Sequence, residues 1–278
     1  MIEVYENNAL KCSYVTTTNY STSFSLGVKM LNKEYRDAIY SIYGFVRFAD
    51  EIVDTFHDYN KGELLLKFRE DTYEAIEKKI SLNPILHSFQ WAVNTYNIDH
   101  ELIDGFLESM EMDLHEDNHD QKSFEKYIYG SAEVVGLMCL RVFYANEDEK
   151  YKSLIPFAKR LGAAFQKINF LRDIRDDYLD KGRQYFPQLN IENFTEDTKK
   201  AIEADIKMDF DEALIGIKQL KRPVRFGVYL TYVYYLKLFK KIRRVKASRL
   251  LHHRIRISNL RKFLLLTELI ILYKLRII

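Results

Sequence analysis

Glycine and proline are scarce in this chain, which has 10 Gly and 4 Pro among its 278 residues. Tight turns and hairpins depend on these two residues, so there is little material for a β-rich fold or a flexible linker. Apolar residues recur at helical spacing, for example at Ile42, Val46, Ala49 and Val53. We therefore predict an all-α, single-domain bundle of about eight to ten helices over the whole chain. Helix breaks are expected at or near Pro84, Pro156, Pro187 and Pro223.

Cysteine and long apolar runs are also scarce. Cys12 and Cys139 are the only cysteines, too few for a disulfide framework or a cysteine-based metal site. The longest apolar segment, FLLLTELIILY (263–273), is about half the length needed to span a bilayer. The first residues, MIEVYENNAL, carry two glutamates and no apolar stretch, so no signal peptide is expected. These features predict a cytoplasmic protein without a transmembrane helix.

Acidic residues are nearly absent from the C-terminal part. From Lys221 onward there are 16 Lys and Arg against one acid, Glu268, although the whole chain has 42 basic and 40 acidic residues. Such a tail suits a solvated helix face, an anionic membrane surface or an anionic substrate, and no nucleic-acid motif accompanies it. We expect no nucleic-acid partner. Two alternatives stay open: peripheral attachment to the cytoplasmic membrane face, or burial of the apolar run in the bundle. The basic tract comprises Lys240, Lys241, Arg243, Arg244, Lys246, Arg249, Arg254 and Arg256.

A polar stripe runs along one helical segment, RFADEIVDTFHD (47–58) and the residues before it. Tyr43, Arg47, Asp50 and Asp54 are four, three and four residues apart, which places them on one helix face. The apolar set beside them predicts that this face lies at the edge of the core. A carboxylate there needs water, a cation or a metal to compensate its charge.

A second stripe has the same design. In AFQKINFLRDIRDDYLDKGRQYFP (164–187), Gln166, Asn169, Asp173 and Asp177 share a face, with apolar residues alongside. Aspartates four residues apart occur at six places in the chain, so one such pair is weak evidence. Of the other pairs, Asp113/Asp117 and Asp205/Asp209 lie in polar surroundings, and we expect them to be solvated.

Two facing carboxylate stripes suit Mg²⁺. This ion prefers oxygen ligands and usually binds through one or two carboxylates together with substrate phosphates. Two such helices would hold several ions around a diphosphate. Arg47, Arg172 and Arg183 could then bind the remaining phosphate oxygens.

These segments together resemble the phytoene and squalene synthase family, whose members join two prenyl diphosphates head to head. The similar pieces appear in family order and cover roughly residues 20–245. They are STSFSLG (21–27), YSIYGFVRFADEIVD (40–54), ESMEMDL (108–114), YIYGSAEVVGLMCL (127–140) and QKINFLRDIRDDYLDKGRQYFP (166–187).

The resemblance implies an isoprenoid-synthase bundle with a central active-site cavity. It implies that Asp50, Asp54, Asp173 and Asp177 bind Mg²⁺, with Mn²⁺ as a possible substitute, and that Tyr43 and Arg47 complete the catalytic group. The implied substrate contacts are Ser21, Ser23, Tyr129, Gln166, Asn169, Arg172, Arg183, Tyr185 and Tyr235.

The chain departs from the family pattern at two places. Many relatives have a basic residue where this chain has Thr22, which puts one diphosphate contact in doubt. Where many relatives read Ala-Gly-Thr-Val-Gly, this chain reads SAEVVG, and Glu133 is expected to face water or pair with a basic neighbour.

The implied activity is Mg²⁺-dependent condensation of two prenyl diphosphates, through a cyclopropylcarbinyl diphosphate, to a C40 triene such as phytoene. Geranylgeranyl diphosphate is the favoured substrate and no NADPH is expected. A C15-using diapophytoene or squalene synthase is the alternative activity. Separately, we expect the protein to be a monomer or a weak dimer. An inactive scaffold relative is disfavoured because all four aspartates are present. A di-iron bundle, suggested by Glu116 and His119, lacks its second Glu-x-x-His.

Overall fold

The computed structural model describes residues 1–115, 118–187, 189 and 194–275. Within these residues the protein has thirteen α-helices and one π-helical turn, with no β-strand. The α-helices are α1 Ile2–Tyr20, α2 Thr22–Lys29, α3 Lys33–Asp54, α4 Lys61–Lys78, α5 Pro84–Tyr96, α6 His100–His115, α7 Gln121–Ile128, α8 Val134–Phe143, α9 Asp148–Lys181, α10 Glu196–Gln219, α11 Arg222–Arg243, α12 Ala247–Leu250 and α13 Asn259–Lys274. The π-helical turn, Tyr129–Glu133, joins α7 to α8. The predicted all-α class is confirmed.

The helix ends follow local chemistry. The Asn83 side chain accepts hydrogen bonds from the backbone N–H groups of Ile85 and Leu86, with Pro84 in the first turn of α5. Helix α9 ends at Gly182, whose φ of 69° turns the chain out of the helix. This turn aims the Arg183 side chain back across the bundle, toward Asp54 of α3.

Two expectations were wrong, one about a helix break and one about the number of helices. Pro156 lies inside α9 and not at a break. A proline removes one backbone hydrogen bond, but the flanking Leu154 and Phe157 pack into the interior, which offsets that loss. The helix count also exceeds ten, because short helices such as α2 and α12 end without the proline or glycine signals used to find breaks.

The core divides into two apolar clusters. One is built around α3, where Phe45 stacks on Phe89 with ring centroids 3.9 Å apart. The other joins α9, α10 and α11, where Phe210 and Phe239 lie 5.8 Å apart. A cavity lies between the clusters, lined by residues of both halves of the chain.

The basic C-terminal tail is partly built into the bundle. Leu265 and Leu269 of α13 are buried, whereas Phe263, Leu264 and Ile271 are exposed. The alternative that the apolar run is buried in the bundle is therefore confirmed for only one face of α13. Across the described residues, no helix combines the length and the apolar character needed to cross a membrane.

Candidate active site

The cavity between the two clusters has a volume of about 340 Å³ and a polar mouth. Five predicted site residues line the cavity, and we call this part its mouth because Tyr43 lies near Asp50 and Tyr235 lies near Asp173. They are Ser21, Tyr43, Gln166, Asn169 and Tyr235. The deeper walls are apolar, with residues such as Ile42, Val135 and Leu161. A second recess of about 420 Å³, between α7, α9 and α10, contains none of the predicted site residues.

Helix α2 can reach the mouth because it packs very closely on α11. A Cβ added at Gly27 would lie 3.0 Å from the carbonyl oxygen of Gly227, and a Cβ at Gly227 would lie 2.5 Å from that of Gly27. Only glycine allows this approach at both positions. Ser21 caps α2, its hydroxyl accepting a hydrogen bond from the Phe24 N–H at 3.3 Å.

Aromatic rings flank the polar mouth. Phe24 stacks on Tyr43 at 5.1 Å, and Phe165 stacks on Tyr235 at 4.0 Å. Burial raises the pKa of Tyr43 to about 12, with the nearby Arg47 opposing and Asp50 adding to the rise. Tyr43 therefore keeps its proton at neutral pH and can donate a hydrogen bond to an anion.

The first aspartate pair, on α3, is surrounded by arginines. Arg47 binds Asp50 at 2.5 Å and also binds Glu51, and its guanidinium lies 4.2 Å from the centre of the Tyr20 ring. Asp54 is bound by Arg183 at 2.8 Å. Both carboxylates thus have cationic partners.

The second aspartate pair, on α9, is arranged similarly. Asp173 is bound by Arg172, with Nε 2.9 Å from Oδ1, and by Arg254, with Nε 2.7 Å from the same oxygen. Asp177 lies one turn further on and is buried, and its carbonyl oxygen accepts a hydrogen bond from the Arg183 N–H at 2.9 Å.

The donor set at the mouth fits Mg²⁺ bound together with a diphosphate. No group of three or more His, Cys, Asp or Glu side chains converges among the described residues, so no all-protein metal cage is formed there. Each stripe instead offers two carboxylates, which is the number Mg²⁺ takes when phosphates complete its shell. The buried Oδ1 of Asn169 also has no hydrogen-bond partner among the described residues, and an oxygen acceptor of this kind suits the same ion.

Five predicted substrate contacts lie outside the cavity lining: Ser23, Tyr129, Arg172, Arg183 and Tyr185. Tyr129 packs beside Gly105, with the Lys159 ammonium 4.6 Å from its ring centre. Arg183 and Tyr185 lie behind Asp54, in a buried polar group with Asp113.

The expectation that Asp113 and Asp209 are solvated is wrong. Asp113 accepts a hydrogen bond from the Tyr127 hydroxyl at 2.8 Å, and Asp209 is bound by Lys167 at 2.7 Å. Both carboxylates are buried, because their partners come from other helices. Asp117, the other member of the first pair, and Glu116 of the di-iron alternative lie outside the described residues.

Sequence reasoning did not assign Lys262 to the site. Its ammonium lies 2.5 Å from the Thr22 hydroxyl, and the Tyr234 hydroxyl binds its carbonyl oxygen at 2.9 Å. Burial lowers the pKa of Lys262, and the positive charge of Arg172 lowers it further. A basic side chain thus stands beside Thr22, although it comes from α13. The basic tail was the available signal, but nothing in its pattern singled out this lysine.

The second departure from the family pattern, Glu133 in SAEVVG, was expected to face water or pair with a basic neighbour, and it pairs with Lys159. Glu133 lies 3.8 Å from the Lys159 ammonium, on the π-helical turn. Burial raises the pKa of Glu133, with Lys159 opposing the rise. The pair lies apart from the cavity lining.

An all-α bundle whose central cavity is lined by two aspartate-bearing helices has the architecture of an isoprenoid synthase fold. A crystal structure of a dehydrosqualene synthase superposes with a TM-score of 0.81 at 20% identity, covering 97% of this chain and 98% of that one. At this identity the likeness establishes the fold.

Sequence comparison supplies the family. Residues 17–261 match the squalene/phytoene synthase family, and the chain belongs to that family. The 4,4'-diapophytoene synthase of Staphylococcus haemolyticus is 29% identical over 207 residues, 72% of this chain and 69% of that protein. The chloroplastic phytoene synthase 1 of Solanum lycopersicum is 29% identical over 244 residues, 80% of this chain and 58% of that protein. The match thus spans little more than half of the tomato protein.

Proposed function

We propose that this protein condenses two prenyl diphosphates head to head and releases diphosphate. The observation that carries the proposal is that α3 and α9, the two helices with aspartate stripes, also line one apolar cavity, where Tyr43 lies near Asp50 and Tyr235 lies near Asp173. Diphosphate groups would bind at the polar mouth and the prenyl chains would occupy the apolar interior. Family membership supports the same reaction type.

The mouth is suited to departure of a diphosphate. Asp50, Asp54, Asp173 and Asp177 would hold Mg²⁺, or Mn²⁺, which neutralises the leaving anion. Arg47, Arg172 and Lys262 can bind phosphate oxygens, because each carries a positive charge at or near the mouth. These groups act most strongly as charge develops on the leaving oxygen.

The cavity wall would protect the carbocation left behind. The allylic cation alkylates the double bond of the second substrate and forms a cyclopropylcarbinyl diphosphate, whose own ionisation and proton loss give a triene. Water would quench either cation, and the deep walls carry few polar groups. The ring pairs Phe24–Tyr43 and Phe165–Tyr235 present aromatic faces near the site of ionisation.

The cavity extends far enough along α9 to hold a C20 chain. Asn169 at the mouth and Leu154 both line it and lie on α9, so at 1.5 Å per residue they are about 22 Å apart along the helix. An extended geranylgeranyl chain, with about fifteen C–C bonds of about 1.5 Å in zigzag, is on the order of 20 Å long. We therefore propose phytoene as the product, formed without NADPH, and the C15 reaction is the alternative.

The proposed substrate and product are largely apolar and partition into the membrane, so we also propose that the protein attaches to the membrane surface. Exposed Leu260, Phe263, Leu264 and Ile271 of α13 adjoin the basic tract, a combination that suits an anionic lipid surface. We propose that the protein is cytoplasmic and docks on that surface through α13.

The reaction is tested by product analysis. Purified protein is incubated with Mg²⁺ and either C15 or C20 diphosphate, with and without NADPH, and the hydrocarbon is identified by mass. A C40 triene from the C20 substrate alone is expected. If neither diphosphate is consumed, the proposed function is wrong.

The aspartate assignment is tested by substitution. Asp50→Asn and Asp173→Asn are each expected to lower turnover at least about a hundredfold, since metal clamps on a leaving group act in the transition state. Asp176→Asn is the matched control, because Asp176 lies on the same helix as Asp173 and pairs with Arg175 at 3.5 Å. Near-normal turnover in either site variant, with helical content unchanged, would remove that stripe from the mechanism.

A further inference from the structure

Arg183 is buried between two carboxylates of different helices. Its side chain is 7% exposed, and its Nη1 lies 2.8 Å from Asp54 Oδ1 on α3 and 3.5 Å from Asp113 Oδ1 on α6. Its Nη2 donates to the carbonyl oxygen of Asp113 at 2.8 Å. The turn at Gly182 aims the arginine in this direction.

Asp113 is enclosed on the side away from the cavity. Its side chain is 3% exposed, and its two oxygens accept hydrogen bonds from Tyr127 at 2.8 Å and Tyr185 at 3.2 Å. The His119 ring stacks against Tyr185 at 5.7 Å and covers the group further. The Asp113 carboxylate is therefore held behind Arg183, outside the cavity lining.

The two acids differ in their possible partners. Asp54 belongs to the predicted metal stripe, and Asp113 does not. A buried guanidinium keeps its charge and needs a nearby negative group, because an uncompensated buried ion is strongly destabilising. If Asp54 were the sole partner, drawing it toward a metal ion would leave Arg183 uncompensated.

We propose that Asp113 is a positioning residue that retains the charge of Arg183, so that Asp54 can turn from the arginine to a divalent cation. The inference rests on the proposed function and concerns how readily the first stripe accepts its metal.

The electrostatics of the group agree with this role. Burial raises the pKa of Asp113 to about 7; Arg183 and the Tyr127 hydrogen bond lower it, whereas the charges of Asp54 and Asp50 raise it. A cation on the first stripe would offset those two charges, which favours ionised Asp113 when the metal is bound.

The test measures metal binding without catalysis. The thermal unfolding midpoint is followed at pH 8 while Mg²⁺ is titrated in the presence of inorganic diphosphate, and the half-saturating Mg²⁺ concentration is read from the shift. For Asp113→Asn we expect this concentration to rise about tenfold, equal to about 1.4 kcal/mol. The control is Asp104→Asn on the same helix, because Asp104 is 45% exposed and pairs with Arg69 at 3.1 Å. It should leave the midpoint of the titration unchanged.

A second background separates this role from a general field effect. In Arg183→Gln protein there is no guanidinium to compensate, so adding Asp113→Asn should not shift the Mg²⁺ requirement further. If Asp113 attracted the cation simply by its charge, the same tenfold rise would persist in that background, and the inference would be overturned. Non-additivity of the two substitutions is the expected result.

Other outcomes decide between the two proposals. If wild-type protein gains no stability from Mg²⁺ and diphosphate, the proposed function fails and this inference fails with it. If wild type responds and folded Asp113→Asn responds equally, only the inference is wrong. If Asp113→Asn does not fold, Tyr127→Phe is used in its place. This variant preserves every formal charge but removes the hydrogen bond that stabilises the ionised carboxylate of Asp113. It is expected to raise the half-saturating concentration about threefold, and an unchanged value would overturn the inference.

Discussion

Replacing Asp209 by asparagine should destabilise the protein far more than the same change two residues later. The Asp209 side chain is 0% exposed and bound by Lys167 at 2.7 Å and by Arg160 at 3.0 Å. Asp211, on the same helix, is 62% exposed and pairs with Lys207 within a single turn. The two positions thus compare a buried and a solvated ion pair in one helix.

The expected magnitude follows from what remains after the change. Removing one partner of a buried pair costs about 3–5 kcal/mol, because the other charge stays buried. Here Lys167 keeps Asp205 at 2.6 Å and Arg160 keeps Glu212 at 2.8 Å. These partners soften the loss, so we expect the free energy of unfolding to fall by about 2–3 kcal/mol for Asp209→Asn. For Asp211→Asn we expect a fall of no more than about 0.5 kcal/mol.

Urea denaturation followed by circular dichroism measures both changes. With a slope of about 2–3 kcal/mol per molar urea, Asp209→Asn should lower the transition midpoint by roughly 1 M, and Asp211→Asn should lower it by no more than about 0.2 M. Equal midpoints for the two variants would refute the reasoning. So would a large effect that disappears in high salt, because a buried pair is only weakly screened.

Two further predictions concern the metal and the membrane. Treatment with EDTA should abolish condensation and added Mg²⁺ should restore it, because the carboxylates cannot stabilise a leaving anion by themselves; full activity in metal-free buffer would contradict the assignment. In co-sedimentation, the protein should bind anionic but not neutral vesicles and be released by high salt, since each basic residue near the surface contributes about 1 kcal/mol over a Debye length of about 10 Å. Charge reversal at Arg256 and Lys240 should weaken this binding, and protein that stays in the supernatant with anionic vesicles at low salt would refute it.

The parts of the site that could be predicted from sequence are those encoded by local periodicity. Tyr43 and the Asp50 stripe share a face because residues three and four apart meet on any α-helix, and the same holds for Asn169 and Asp173. The cavity mouth therefore contains residues whose positions a single helix can specify.

The remaining features depend on partners distant in the chain. Asp113 looks solvated beside Glu111 and His115, but it is buried by groups from Tyr127 and from the loop after α9. Lys262 is 240 residues from Thr22, and only the packing of α13 brings them together. A periodic sequence pattern does not predict these contacts, because they depend on how whole helices pack against one another.

The π-helical turn Tyr129–Glu133 sets the rotation of α7, which carries Tyr127, relative to α8, which carries Val135 of the cavity wall. Its closing bond runs from the Val134 N–H to the Tyr129 carbonyl oxygen, so the turn contains one residue more than an α-helical turn. Deleting a residue here would let α7 run directly into α8 and rotate one relative to the other by about 100°. Either Tyr127 would leave the buried carboxylate or Val135 would leave the cavity wall. A change of length in this turn would therefore separate the polar group from the cavity.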